Sequence, residues 1–123
     1  MTEPNASLPD LEELSASAQE ASTLLKALAN RDRLMILCLI AEQERNVTEL
    51  QRLLQLRQPT LSQQLSRLRS EGIVATRREG KSIYYRLVSA EVERTLELMH
   101  EMFCSEEAIA RRREDRARYR GAA

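Results

Sequence analysis

Chemically reactive side chains are few in this sequence and lie far apart. Cys38 and Cys104 are its two thiols, 66 positions from each other, and its single histidine, His100, stands four residues before the second. That spacing makes neither a CxxC redox pair nor a zinc knuckle, and a protein of a reducing compartment does not keep a permanent disulfide. On the residues alone, three roles stay open for the pair. Both thiols pack as small buried hydrophobes, the common fate of a free cysteine. Alternatively, Cys38, Cys104 and His100 hold a metal ion, although zinc and related ions want about four N, S or O ligands and no fourth is evident. As a third role they serve a small thiol oxidoreductase, for which the chain shows no CxxC on a parallel sheet. His100 lies one helical turn from Cys104. As an imidazolium it would favour the Cys104 thiolate; as a plain surface histidine it would do nothing.

A second set of side chains suits recognition instead of reaction. Gln58, Thr60, Ser62, Gln63, Gln64, Ser66, Arg67 and Arg69 share the polar face of a segment whose other face is Leu61, Leu65 and Leu68. Gln and Arg make bidentate contacts to base edges, and Ser and Thr contact bases or phosphates. A helix that served only solubility would carry more Glu and Lys; here Glu71 alone is acidic. Downstream, Arg77, Arg78, Lys81 and Arg86 line a hairpin pattern that puts Ile83, Tyr85 and Leu87 on one side and Tyr84 and Arg86 on the other. A basic tip at Arg78–Lys81 would grip an adjacent phosphate or minor groove, giving salt-dependent affinity without sequence reading.

The charge distribution agrees with a polyanion-binding centre. The 123 residues carry no net charge, yet residues 45–86 hold 9 basic and 3 acidic side chains, whereas residues 1–44 hold 3 and 8 and residues 87–123 hold 7 and 8. A basic middle in an acidic frame points to a nucleic-acid partner. No apolar run approaches the roughly 20 residues of a membrane span, so no membrane partner is expected. The opening MTEPNASLPDLEEL is acidic and polar, unlike a secretory signal, and the expected location is cytoplasmic. No cofactor is expected.

These side chains need elements to position them, and the periodicity supplies an order. Residues 1–9 read as a disordered N-terminal tail. Asp10 to Leu28 keeps helical spacing through Leu11, Leu14, Ala18, Ala21, Leu24, Leu25 and Leu28. Asn30 can cap the next helix, Arg31 to Ala41, which is apolar on most of its surface and reads as a central core helix. After a polar loop over Glu42–Asn46, Thr48 and Gln51 have capping-box spacing for a short helix through Leu54. Pro59 opens the polar-faced helix, which runs to Glu71 and stops at Gly72. Ile73–Arg78 and Ser82–Leu87 read as strands joined by the three-residue loop Glu79-Gly80-Lys81. Ser89 caps a last helix with Val92, Leu96, Met99, Phe103 and Ala110 on one face. Met99 and Met102 fit dimer packing better than haem ligation. The expected fold is mainly α with a β-hairpin wing: four helices, the hairpin, then a fifth helix. One domain covers residues 10–110, and residues 111–123 form a basic C-terminal tail of solvated helix end. Two short helices a few residues apart, followed by a basic hairpin, make a winged helix-turn-helix.

The runs LLKALANRDRLMILCLI and VTELQRLLQLRQPTLSQQLSRLRSEGIVATRREGKSIYYRL resemble the ArsR/SmtB winged-helix repressors over about residues 20–105. The resemblance implies a homodimer paired through its first and last helices, a palindromic double-stranded DNA operator, and release from DNA when an inducer binds. It also implies that the protein is a regulator and not an enzyme. Two metal-sensing classes of the family find no counterpart here. One uses a cysteine pair in the helix that reads VTELQRLL in this chain. The other uses Asp, His and Glu ligands on the last helix, where this chain has His100 as its one histidine. RLMILCLI and MHEMFC instead resemble the BigR/SqrR-like sulfur sensors, which carry one cysteine at each of these two places. That subgroup implies that Cys38 and Cys104 are sensor thiols, cross-linked directly or through bridging sulfurs by reactive sulfur species or oxidants. The implied DNA-binding residues are Gln58, Thr60, Ser62, Gln63, Gln64, Ser66, Arg67, Arg77, Arg78, Lys81 and Tyr84.

Overall fold

The computed structural model describes residues 10–122; the expected N-terminal tail, residues 1–9, lies outside them. Asp10 caps α1 (Leu11–Leu28) by accepting the Glu13 N–H at 2.8 Å. Asn30 caps α2 (Arg31–Glu42), as its side chain type allows, by accepting the Arg33 N–H at 3.0 Å. A two-residue strand, β1 (Arg45–Asn46), follows where the sequence indicated only loop. Asn46 then caps α3 (Val47–Leu54): it accepts the Glu49 N–H at 2.8 Å, and the Glu49 carboxylate accepts the Asn46 N–H at 2.9 Å. The capping box therefore sits two residues before the expected Thr48–Gln51 pair. Gln55, in the left-handed region at φ 58°, ends α3 and turns the chain into α4 (Gln58–Ser70), with Pro59 in its first turn.

The stop after α4 is a Schellman motif. Gly72 takes φ 76°, its N–H donates to the Arg69 carbonyl at 3.1 Å, and the Ile73 N–H donates to the Leu68 carbonyl at 3.0 Å. β2 (Val74–Glu79) and β3 (Ser82–Leu87) follow as an antiparallel hairpin with β3 in the middle of the sheet, order β1-β3-β2. Glu79 pairs with Ser82, so the loop is Gly80-Lys81, one residue shorter than expected. Gly80 at φ 63° in the first loop position is what a tight II′ connection requires. α5 (Ala90–Phe103) is capped by Ser89, whose hydroxyl accepts the Val92 N–H at 3.2 Å.

The expected single last helix is in fact two. α5 stops at Phe103, and α6 (Glu106–Ala122) starts after Ser105, whose hydroxyl accepts the Ala108 N–H at 3.1 Å. A serine offering its oxygen to the backbone competes with helix continuation. Ala110 consequently lies on α6, exposed, while Ala108 is buried. α6 runs unbroken across residues 110 and 111.

One core holds these elements together. Ile36, Leu37 and Ile40 of α2 meet Leu50 of α3, Leu61, Leu65 and Leu68 of α4, Ile73 and Val74, and Val92 and Leu96 of α5. The wing joins it through Tyr85 and Leu87, which pack half-buried against that core. α2 corrects the expectation of burial on nearly every side. Met35 and Cys38 form a strip that the single chain leaves at its surface. Apolar residues of α1 and α5 are exposed in the same way: Leu14, Leu25, Leu98, Met102 and Phe103.

Candidate functional site

The reading face comes from the local physics of α4. Three leucines at spacings of four and three pin one side of the helix to the core. The opposite side then has to face solvent, and it presents Gln58, Ser62, Gln63, Ser66, Arg67 and Arg69. Arg67 is partly engaged, donating from Nε to Glu71 at 3.1 Å. Thr60 and Gln64 stand apart from the exposed row, because both are half-buried. The Gln64 carbonyl oxygen accepts a hydrogen bond from Arg33 Nη1 at 3.1 Å. Its position three residues after Leu61 and four before Leu68 already marked it as a flank of the buried stripe.

On the wing, Arg78, Gly80 and Lys81 are exposed at the tip and Arg86 is exposed on β3. Arg77 is placed differently. Its Nη1 donates to Glu79 at 2.6 Å, its Nε donates to Glu44 at 2.6 Å, and its guanidinium lies 4.8 Å from the centre of the Tyr84 ring. Hydrogen bonds to Glu79 and Glu44 hold its proton beyond the ordinary arginine range. The arginine thus joins the wing to the loop before β1, with two carboxylates and an aromatic face around it. Glu44 gave no sign of this role in the sequence, because its partner is 33 positions away.

The thiol site lies outside the reading face. Cys38 projects from α2 into a pocket of about 300 Å³ between α2 and α5, lined also by Glu42, Glu93, Leu96, Glu97 and His100. Cys104 is the residue that ends α5, and its N–H donates to the His100 carbonyl at 2.8 Å. Both thiols are free, and both residues are exposed, so neither is the buried hydrophobe that free cysteines commonly are. The pocket nonetheless encloses the Cys38 sulfur enough for desolvation to push its thiol above the ordinary range, and Cys104 is near enough to raise it further. Both effects disfavour the thiolate. His100 faces the same pocket as Cys38, a neighbour that its spacing from Cys104 alone did not suggest. Among the described residues, no group of three or more His, Cys, Asp or Glu side chains is arranged to hold a metal ion. Among them, too, no helix is long and apolar enough to cross a membrane.

The surroundings of the two sites have known counterparts. The sequence profile described as bacterial regulatory protein, arsR family, matches residues 30–76. The chain is 50% identical over 90 residues to the biofilm growth-associated repressor of Agrobacterium fabrum, a match covering 73% of this chain and 77% of that one. Reduced HlyU from Vibrio cholerae superposes with a TM-score of 0.74 at 43% identity, over 77% of this chain and 100% of that one. The transcriptional repressor BigR from Xylella fastidiosa superposes with a TM-score of 0.70 at 43% identity, over 78% and 95%.

Proposed function

This chain belongs to the ArsR family of bacterial regulatory proteins and is a DNA-binding winged-helix transcriptional regulator; from that premise we propose that it is a dimeric cytoplasmic repressor which leaves its operator when Cys38 and Cys104 become joined. The observation that carries this reading is the meeting of two free, exposed thiols from distant parts of the chain, close enough to influence each other's ionisation. Likeness to a structure described as reduced HlyU and to the repressor BigR supports it.

In the proposed reaction one thiolate attacks the terminal sulfur of a small persulfide R–S–SH. It becomes Cys–S–SH and expels RS⁻. The second thiolate then attacks the inner sulfur of that group, forms the Cys38–Cys104 disulfide and expels HS⁻. If the second thiol has been converted first, its terminal sulfur attacks instead, and a trisulfide forms with loss of the same HS⁻. Either product ties α2 to the end of α5. Those helices also carry apolar surface, on Met35, Leu98, Met102 and Phe103, that a second copy would cover. A shift there changes the separation of two α4 helices, which have to match half-sites about 34 Å apart.

On the DNA, Gln58, Ser62, Gln63 and Ser66 are the base-reading candidates, with Thr60 and Arg67 at their edges. Arg78, Lys81 and Tyr84 serve the backbone. Arg78→Ala and Lys81→Ala are each expected to weaken operator and non-operator DNA alike, and to lower the slope of log affinity against log salt by about 0.9. Arg77→Ala is expected to change that slope less, since Glu44 and Glu79 already balance its charge. Titrations of fluorescent duplexes over a range of salt concentrations measure both slopes.

Intact mass and operator affinity, measured on the same persulfide-treated sample, test the thiol reading. A cross-linked chain that has lost two hydrogens, or gained whole sulfur atoms, should be the fraction that no longer binds. Release of DNA by protein still carrying two free thiols would reject the proposal, and so would full binding by the cross-linked form.

A further inference from the structure

Arg33 is buried, at 5% exposure, and among the described residues no carboxylate pairs with it. An arginine keeps its charge at any physiological pH, so its surroundings have to supply compensation. They do so with the end of a helix. Arg33 Nε donates to the Ala27 carbonyl at 2.7 Å, and Nη2 donates to the Lys26 carbonyl at 3.2 Å. These oxygens belong to the last turn of α1, where carbonyls lack helical partners and the helix dipole is negative. The remaining nitrogen, Nη1, reaches across to Gln64 of α4 at 3.1 Å. One side chain, planar and fixed at three points, therefore joins α1, α2 and the reading helix.

We propose that Arg33 is a positioning residue for DNA binding: through Gln64 it sets the angle at which α4 presents its polar face, and it carries movement of α2 to that face. The guanidinium suits this work because its donors form a rigid fork, so a rotation of α2 cannot be absorbed without breaking a bond. Cys38 is five residues further along the same helix, between Arg33 and the thiol pocket. The first half of this proposal concerns the reduced protein and is independent of the sensor chemistry; the second half rests on the thiol reading given above. Gln64 is accordingly taken out of the base-reading set.

The test compares Gln64→Leu, Gln64→Glu, Arg33→Met and the double variant Arg33→Met/Gln64→Leu, each checked for folding by thermal unfolding and assayed on operator DNA. Gln64→Leu is expected to lose roughly tenfold in affinity, while Gln64→Glu, which still accepts from Arg33, stays within about threefold of the unaltered chain. A base-reading glutamine predicts the opposite, since a carboxylate is lost on an adenine edge as surely as leucine is. The double variant should be no weaker than the weaker single one, because both remove the same bond. Equal losses in Gln64→Leu and Gln64→Glu, or fully multiplicative losses in the double variant, overturn the proposal. Should Arg33→Met fail to fold, the two Gln64 variants still decide, because they leave the bonds to α1 in place. In Gln64→Leu the ratio of reduced to cross-linked affinity should also fall towards one. A ratio of one already in the unaltered chain would refute the sensor reading and leave the reduced-protein comparison standing.

Discussion

Cys38→Ser and Cys104→Ser are each expected to hold operator DNA as the unaltered reduced chain does, and to stop responding to persulfide altogether. The first half follows from exposure. Neither thiol is part of the buried core, and surface substitutions of this size change stability by about 0.5 kcal/mol or less. The second half follows from the need for two sulfurs: a hydroxyl neither attacks a sulfane sulfur nor leaves room for a cross-link. Coupling between sites is commonly worth about 1–3 kcal/mol. The lost response is then roughly a 5- to 150-fold change in affinity reduced to none. The pH dependence has a definite sign. Desolvation raises the Cys38 pKa and Cys104 adds to it, so the reactive thiolate is scarcer at neutral pH than in a free thiol. Cross-linking should accelerate as pH rises towards that raised value and slow as pH falls. In Cys104→Ser one of the two causes is gone, and the alkylation profile of Cys38 should move to lower pH. Retention of a full DNA response in either single variant would exclude the two-thiol mechanism.

The parts legible in the sequence are those whose cause is local. Leu61, Leu65 and Leu68 dictate which side of α4 is buried, and so which side can read DNA, without reference to anything distant. Gly72 is legible for the same reason, since only its own backbone has to turn left-handed. The α3 cap shows where locality ends. Asn46–Glu49 and Thr48–Gln51 both have capping-box spacing, and the choice between them depends on β1, which pairs Asn46 with Tyr84. That pairing keeps Asn46 extended, the conformation a cap needs, and leaves Thr48 to the helix. Arg33 and Gln64 were illegible as a pair because 31 positions separate them. The exposure of Cys38 was hidden for another reason. An apolar pattern around α2 states that every side prefers burial, not whether this chain alone can provide it. Ser105 did carry a signal: a serine between a Phe-Cys pair and two glutamates is a good start for a new helix.

Charging the surface shared by α1 and α5, with Leu25→Glu and Leu98→Glu together, is expected to give a folded monomer that binds a palindromic operator at least a hundredfold more weakly. Leu25 is 54% and Leu98 52% exposed, so the chain itself loses little packing. They line two neighbouring grooves, of about 670 and 590 Å³, that have Glu91 and Thr95 in common. A second copy laid along these grooves would bury such leucines, each worth about 1.5–3 kcal/mol when fully covered. Two-fold symmetry doubles every substitution, so one interface would receive four buried carboxylates without partners. The effect on DNA follows from the geometry of reading. A dimer engages two half-sites with one loss of translational freedom, whereas a monomer meets each half-site as a separate event. Sedimentation at micromolar concentration measures the assembly, and titration of full and half operators measures the consequence. Half-site affinity should be nearly unchanged while full-site affinity collapses. A variant that stays dimeric, or a monomer that keeps full-site affinity, defeats the pairing of α1 with α5. Since Cys38 and Cys104 influence each other within one chain, the monomer should still form the cross-link. That outcome would place sensing within the single chain and leave only its conversion into a DNA response to the pair.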